Sequence, residues 1–274
     1  MKNLLVILLF AGTATFVFSS CSKKNNAEKP SAKNYVLVHG AWQAPYVWDS
    51  VKTLLVKEGN NVTVVELPGH GSDQTAPSAI SLNLYATTVL NAMSQIPGKV
   101  ILVGHSLGGM IISSVAEQAP SKIEKLVYLA GYLPASGQSL FGLAQTDPGS
   151  ELGQPGALIF GPDSLTVDVA PNDLISTFIQ DGTPQAQNLV SQNYRAEPSI
   201  PLNQPVTLTA ANFGSVNKVY IKTLLDHAVS PSLQNKMIAA APGVSAVYSI
   251  NTSHSAHLAK PDSVAILLTK IGQN

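Results

Sequence analysis

Residues 99–116, KVILVGHSLGGMIISSVA, constrain this chain more than any other stretch. An apolar, β-branched run from Val100 to Val103 stops at Gly104-His105-Ser106-Leu107-Gly108-Gly109. Apolar residues then return at helical spacing in Met110, Ile111, Val115 and Ala116. The pattern is strand, tight turn, helix, with G-x-S-x-G in the turn. A serine at so sharp a corner needs strained backbone, and the residues two before and two after it must be small for strand and helix to approach. Its hydroxyl then projects above the sheet edge. The Leu107 amide, at the helix start, points to the same place with the positive end of the helix dipole behind it. Ser106 is therefore the candidate nucleophile.

The rest of the chain has the size and composition to build a sheet around that corner. It has 274 residues, 45% hydrophobic and only 12% charged, with zero formal net charge. That describes one large α/β domain with a sizeable core, and no basic stretch or interleaved aromatic patch suggests nucleic acid. The single cysteine, Cys21, rules out an internal disulfide. It follows Lys2, an apolar run through Phe18, and Ser19-Ser20, which is the layout of a secretory signal peptide over residues 1–21. Cysteine directly after the small residues resembles the bacterial lipobox, with Phe18 where that pattern prefers leucine. The resemblance implies lipidation of Cys21, contact with a membrane through a lipid anchor alone, and attachment facing the periplasm of a Gram-negative bacterium. Residues 22–33 read as a polar, flexible tether.

Strand and helix patterns alternate from residue 34 onward. Tyr35 to Val38 is a short buried strand ending at His39-Gly40-Ala41-Trp42, and helical spacing over 45–59 ends at Gly59. Asn61 to Leu67 reads as a strand, 81–95 as an amphipathic helix, and Lys125 to Ala130 as the strand after the central corner. Strand patterns return at Val219 to Ile221 and Ser245 to Ile250, with a closing helix over 261–272. Single helices between continuous apolar strands imply a mostly parallel, doubly wound sheet with right-handed crossovers. Residues 135–215 are rich in Pro, Gly, Gln, Ser and Asn and lack buried-strand runs beyond short pieces such as 157–160. Helices are expected near 171–180 and 184–193. This stretch reads as a lid inserted over the site, with too few apolar residues to fill a core of its own.

A serine needs a base to take its proton, and the base needs an acid to fix its tautomer. In the order Ser, Asp, His, the base lies in a loop after the last strand. That leaves His254, in an Asn-Thr-Ser loop just beyond Ile250, and His257 three residues further on; His254 is preferred. His39 and His105 flank strand ends, where they would shape the backbone or line the pocket. For the acid, the strand ending near Ala130 is followed by GYLPASGQSL, which holds no carboxylate, whereas the strand at 219–223 is followed by Asp226. The backbone donors for a developing oxyanion are placed at Leu107 N–H and, in the turn after the first strand, Ala41 N–H. Scattered histidines with no H-x-x-x-H or H-E-x-x-H imply no metal, and no cofactor is implied.

These motifs together resemble the α/β-hydrolase superfamily, and more narrowly the branch of plant methylesterases, hydroxynitrile lyases and bacterial esterases. The resemblance spans nearly all of 34–272. It rests on VLVHGAW at 36–42, ELPGHGSD at 66–73, LVGHSLGG at 102–109, YIKTLLDHAVSPSLQ at 220–234 and SHSAHLAKPD at 253–262. It implies Ser106 as nucleophile, His254 as base, Asp226 as acid, and Ala41 and Leu107 as oxyanion donors. The lyases carry a lysine directly after the catalytic histidine; here that residue is Ser255, which favours hydrolysis. The implied partner is a small, uncharged ester in a pocket lined by Trp42, His105 and lid residues such as Phe160, Phe178 and Leu189. Another chemistry on the same scaffold (a lactonase, C–C hydrolase or lyase), a non-catalytic binder, and homodimerisation all stay open.

Overall fold

The computed structural model describes Lys2 and residues 31–274. The expected signal, Cys21 and most of the tether lie outside the described residues. Among the described residues, six strands form the main sheet: β1 (Asn34–Val38), β2 (Asn61–Val65), β3 (Val100–His105), β4 (Ile123–Leu129) and, after the three strands of the insertion, β8 (Lys218–Thr223) and β9 (Val244–Ile250). Their order is β2-β1-β3-β4-β8-β9 and every pairing is parallel. The expected mostly parallel sheet is thus wholly parallel.

Period-two alternation divides the strands between two cores. Val36, Val38, Leu102, Leu126, Tyr128 and Tyr220 pack on one face with α2 (Leu82–Ser94) and α3 (Gly108–Gln118). Tyr35, Leu37, Ile101, Val103, Val127, Leu129, Val219 and Ile221 pack on the other, against α1 (Asp49–Lys57) and, at the C-terminus, α10 (Pro261–Gln273). Buried on both faces, β3 and β4 read as continuous apolar runs over Val100–Val103 and Leu126–Leu129. The edge strand β9 alternates between half-buried and exposed residues, since one of its faces meets solvent. Gly59, with φ 90°, ends α1, and Asn60 N–H closes back on Leu55 O at 3.1 Å. Contacts with the sheet include residues before 34: Lys33 O accepts Asn61 N–H at 2.9 Å and Lys33 Nζ pairs with Glu124 at 2.7 Å. Lys33, which the sequence placed at the end of the tether, extends the β1–β2 ladder.

The insertion contains α4 (Leu140–Ala144), β5 (Leu158–Phe160), β6 (Thr166–Val169), α5 (Leu174–Phe178), α6 (Pro184–Asn193), β7 (Glu197–Pro198) and α7 (Ser199–Asn203). Its three strands pair antiparallel in the order β5-β6-β7, a small sheet that the sequence pattern had shown only at 157–160. The remaining helices, α8 (Pro231–Ala240) and α9 (Ala256–Ala259), flank β9. Residues 32–274 form one compact unit, insertion included.

Candidate active site

Because all six strands run the same way, their C-terminal ends and the loops that follow gather at one edge of the sheet, where ligands of such folds bind. The loop after β1 carries Ala41, the corner after β3 carries Ser106, and the loops after β8 and β9 carry Asp226 and His254.

Ser106 sits at φ 52°, in the left-handed region that a residue with a Cβ avoids. The surroundings enforce this. A Cβ on Gly104 would lie 2.5 Å from Gly108 O, and one on Gly108 would lie 2.9 Å from Val38 O. Both glycines are thus required by close backbone approach. The Ser106 carbonyl accepts from Gly109 N–H at 2.9 Å and Tyr132 N–H at 3.0 Å, which pins the corner from two sides. Leu107 is the N-cap of α3, ahead of the first amide that the helix itself uses.

The loop after β9 is fixed before its histidine is reached. Thr252 Oγ1 donates to Asp181 at 2.8 Å and Ser253 N–H donates to the same carboxylate at 3.2 Å. His254 Nδ1 then meets Asp226 Oδ2 at 2.8 Å, with both side chains buried. The Asp226 carboxylate also accepts from Thr223 Oγ1 at 2.6 Å, Ala228 N–H at 2.9 Å, Val229 N–H at 2.8 Å and Gln234 Nε2 at 3.3 Å. Every partner is a donor, so the carboxylate is an acceptor throughout. Nδ1 of His254 therefore carries a proton, and in the neutral ring Nε2 is the nitrogen that holds the lone pair.

The other histidines differ in their surroundings. His257 touches no carboxylate: its ring packs 4.2 Å from that of His105 and 4.6 Å from Trp48, and neither nitrogen has a partner. Burial, followed by the nearby His254, pushes its pKa down to about 3. His105 was expected at the pocket wall, and this is corrected. It is buried beneath the corner, 4.6 Å from the His254 ring, with Nε2 donating to His254 O at 3.1 Å. Burial, then His257 and His254, holds it well below the ordinary histidine range. His39 shapes the backbone: Nε2 accepts Leu67 N–H at 3.3 Å and Nδ1 faces Gly40 O at 2.9 Å.

Above the corner lies a cavity of about 460 Å³, with Ala41, Trp42 and Ser106 among its walls. The insertion contributes Leu140, Phe141, Leu158, Phe160 and Leu202. Among the described residues, Asp147 is the one charged side chain in the lining, and Ser230 N–H binds it at 2.8 Å. Phe160 lines the cavity as expected. Phe178 instead packs behind it, 5.5 Å from the Trp42 ring and 5.7 Å from His254, and Leu189 is 37% exposed on α6. A separate cavity of about 220 Å³ near Leu143, Phe213 and Met237 holds none of the candidate residues. Among the described residues, no group of three or more metal-ligating side chains could hold an ion. Asp181, Gln234 and Glu197, all close to these groups, carry no spacing signature that would have marked them in the sequence.

The sequence profile described as the alpha/beta hydrolase family matches residues 35–266. Among curated proteins, methylesterase 9 of Arabidopsis thaliana is 29% identical, aligned over 87% of this chain and 98% of its own length. Three chloroplastic members of that plant's methylesterase series are 30–32% identical. This chain spans 58%, 64% and 59% of their lengths. Among solved structures, polyneuridine aldehyde esterase superposes with a TM-score of 0.79 at 24% identity, covering 88% of this chain and 100% of its own. Tomato methylketone synthase I gives a TM-score of 0.79 at 25% identity, covering 88% and 98%. At such identities the superpositions speak for the fold.

Proposed function

As the chain belongs to the alpha/beta hydrolase family, we propose that it hydrolyses a small, uncharged carboxylic ester through an acyl-enzyme formed on Ser106. One observation carries the reading. A buried imidazole is held at 2.8 Å by a carboxylate whose other partners are all donors, and its second nitrogen is left free. That imidazole lies against the residue preceding a strained serine that opens into the cavity.

In this mechanism His254 Nε2 takes the Ser106 proton as Oγ attacks the ester carbonyl. Asp226 keeps the tautomer and stabilises the imidazolium that forms. The carbonyl oxygen gains negative charge, which the Leu107 and Ala41 N–H groups stabilise; each such donor is typically worth about 100- to 1,000-fold in rate. His254 returns its proton to the leaving alcohol, and the same groups then activate water against the acyl-serine. Among the described residues, no Lys, Arg or His lines the cavity to receive an anionic substrate, and the Asp147 carboxylate there is occupied by Ser230. Ser255 supports hydrolysis over cyanide release, because its hydroxyl accepts Gln43 Nε2 at 3.2 Å where a lyase would hold a cation.

The test is a fluorophosphonate label read by intact mass, together with a panel of acyl and aryl esters of graded chain length. One adduct on Ser106 and ester turnover are expected. Ser106→Ala should abolish labelling and lower the rate by about 10⁴-fold or more with folding intact. Absence of both labelling and turnover in the native chain would overturn the reading. Export and acylation at Cys21 belong to the same proposal, and the mass of the mature N-terminus tests them.

A further inference from the structure

Glu197 belongs to the insertion, yet its side chain is completely buried in the body of the domain. Its Oε2 accepts Trp42 N–H at 2.8 Å and meets His70 Nε2 at 2.8 Å, while Oε1 accepts the Tyr85 hydroxyl at 3.3 Å. Trp42 follows Ala41 directly and sits at φ 60°, a strained conformation that something must hold. The insertion holds all three of its polar groups. Trp42 O accepts Arg195 N–H at 3.2 Å, Trp42 Nε1 donates to Val167 O at 2.8 Å, and Trp42 N–H goes to Glu197.

We propose that Glu197, with His70 as its charged partner, is a positioning residue for the oxyanion hole: anchoring the Trp42 amide in a strained turn aims the Ala41 N–H into the cavity. The inference rests on the reading of Ser106 as nucleophile and Ala41 as donor. Anchoring Trp42 N fixes the plane of the Ala41–Trp42 peptide, so only rotations about Ala41 itself separate that plane from the Ala41 N–H. Ala41 and Trp42 both line the cavity. The insertion would thus set the catalytic geometry of the body as well as roofing it.

The charge state follows from the partners. His70 Nδ1 faces Pro68 O at 3.1 Å and Nε2 faces the Glu197 carboxylate, so both nitrogens meet acceptors, an arrangement that favours the imidazolium. The groups facing it are Glu197; Arg195, whose guanidinium binds Asp73 O at 2.7 Å; the His39 ring at 4.9 Å; and the Tyr85 ring at 5.8 Å. Burial alone would discharge His70, but the attraction and hydrogen bond of Glu197 outweigh it, and its pKa lies above the ordinary histidine value. Rising pH therefore removes the proton and weakens the anchor.

Two variants separate positioning from mere filling of space. Glu197→Gln keeps an oxygen for Trp42 N–H, and a neutral His70 pairs with that oxygen as its Nε2–H tautomer, giving up the donation of Nδ1 to Pro68 O. The double variant Glu197→Leu, His70→Leu keeps the volume apolar, a change that buried ion pairs often tolerate in stability. In the double variant kcat should fall about 100-fold or more with KM changed less than about threefold, as for loss of an oxyanion donor. In Glu197→Gln kcat should stay within about tenfold of the native value, and the alkaline decline of the native pH profile should vanish. Unchanged kcat in a folded double variant, a change confined to KM, or an alkaline decline that persists in Glu197→Gln would each overturn the proposal. Should the double variant not fold, the Glu197→Gln profile decides. A native chain without Ser106 labelling removes the parent reading and this one together; a labelled, active native chain with unaffected variants removes this one alone.

Discussion

Two buried histidine–carboxylate pairs lie at the top of this sheet, each closed at 2.8 Å, and they differ in what the second ring nitrogen meets. In the pair His254–Asp226, Nδ1 faces the carboxylate and Nε2 meets no hydrogen-bond partner among the described residues. In the pair His70–Glu197, both nitrogens face acceptors, so the ring has nothing with which to take a proton. The carboxylates differ in the same sense. Asp226 takes two backbone amides of its own turn as well as His254, whereas Glu197 bridges from the insertion to three parts of the body. A short buried contact between imidazole and carboxylate therefore does not by itself mark a general base. The free nitrogen does, and the first pair is suited to moving a proton while the second is suited to holding a loop.

The largest expected effect breaks the first pair. His254→Ala should lower kcat by about 10⁴-fold, as losing one member of a proton-transfer unit disables the unit. Asp226→Asn should cost nearly as much, because an amide can donate to Nδ1 and turn the tautomer away from Ser106. Turnover measured on one activated ester, with folding followed by circular dichroism, checks both. A loss under about tenfold in either would erase the distinction between the pairs.

Breaking the second pair should cost far less in rate and show itself in stability. The folded pKa of His70 is raised, so its contribution is complete below about pH 6.5, the unfolded value, and is lost as pH rises through the folded value. The melting-temperature difference between the native chain and Glu197→Gln should accordingly be widest at mildly acidic pH and shrink as pH increases. A difference that widened with pH would show that His70 is neutral in the fold.

The two pairs were also unequally legible in the sequence. Ser106, Gly104 and Gly108 stand at a strand-to-helix corner whose pattern lies within one short stretch, and Asp226 and His254 each follow a strand with recognisable apolar character. Chain order and strand ends were enough to bring those three to one edge. His70 and Glu197 are 127 positions apart, and Glu197 stands in a polar stretch whose burial depends on docking to the body. No periodicity encodes such a contact. The small β5-β6-β7 sheet escaped notice for the same reason: its strands run two to four residues, too short for alternation to register. His105 flanks a strand end, which left it to shape the backbone or line the pocket, and period-two alternation turns it to the opposite side, under the His254 loop.

The smallest effect on turnover should come from His257, which belongs to neither pair. Its nitrogens have no partners, and its ring is packed between His105 and Trp48. His257→Phe should leave kcat within about threefold of the native value, because no proton passes through this ring. Its consequence is thermodynamic. The folded pKa is about 3, against an unfolded value near 6.5, so below pH 6.5 the unfolded chain binds a proton at this site that the folded chain refuses. Stability therefore falls with decreasing pH by up to about 1.4 kcal/mol per unit from this group, until the folded ring titrates in turn. His39 and His105, both held well below their ordinary range mainly by burial, add slopes of the same sign. Removing His257 should flatten the acid limb by one proton's worth and leave the others in place. Urea midpoints for the native chain and His257→Phe at pH 7, 6, 5 and 4 measure this. A variant that lost stability as steeply as the native chain would show that this ring is already charged in the fold, with a partner for its proton.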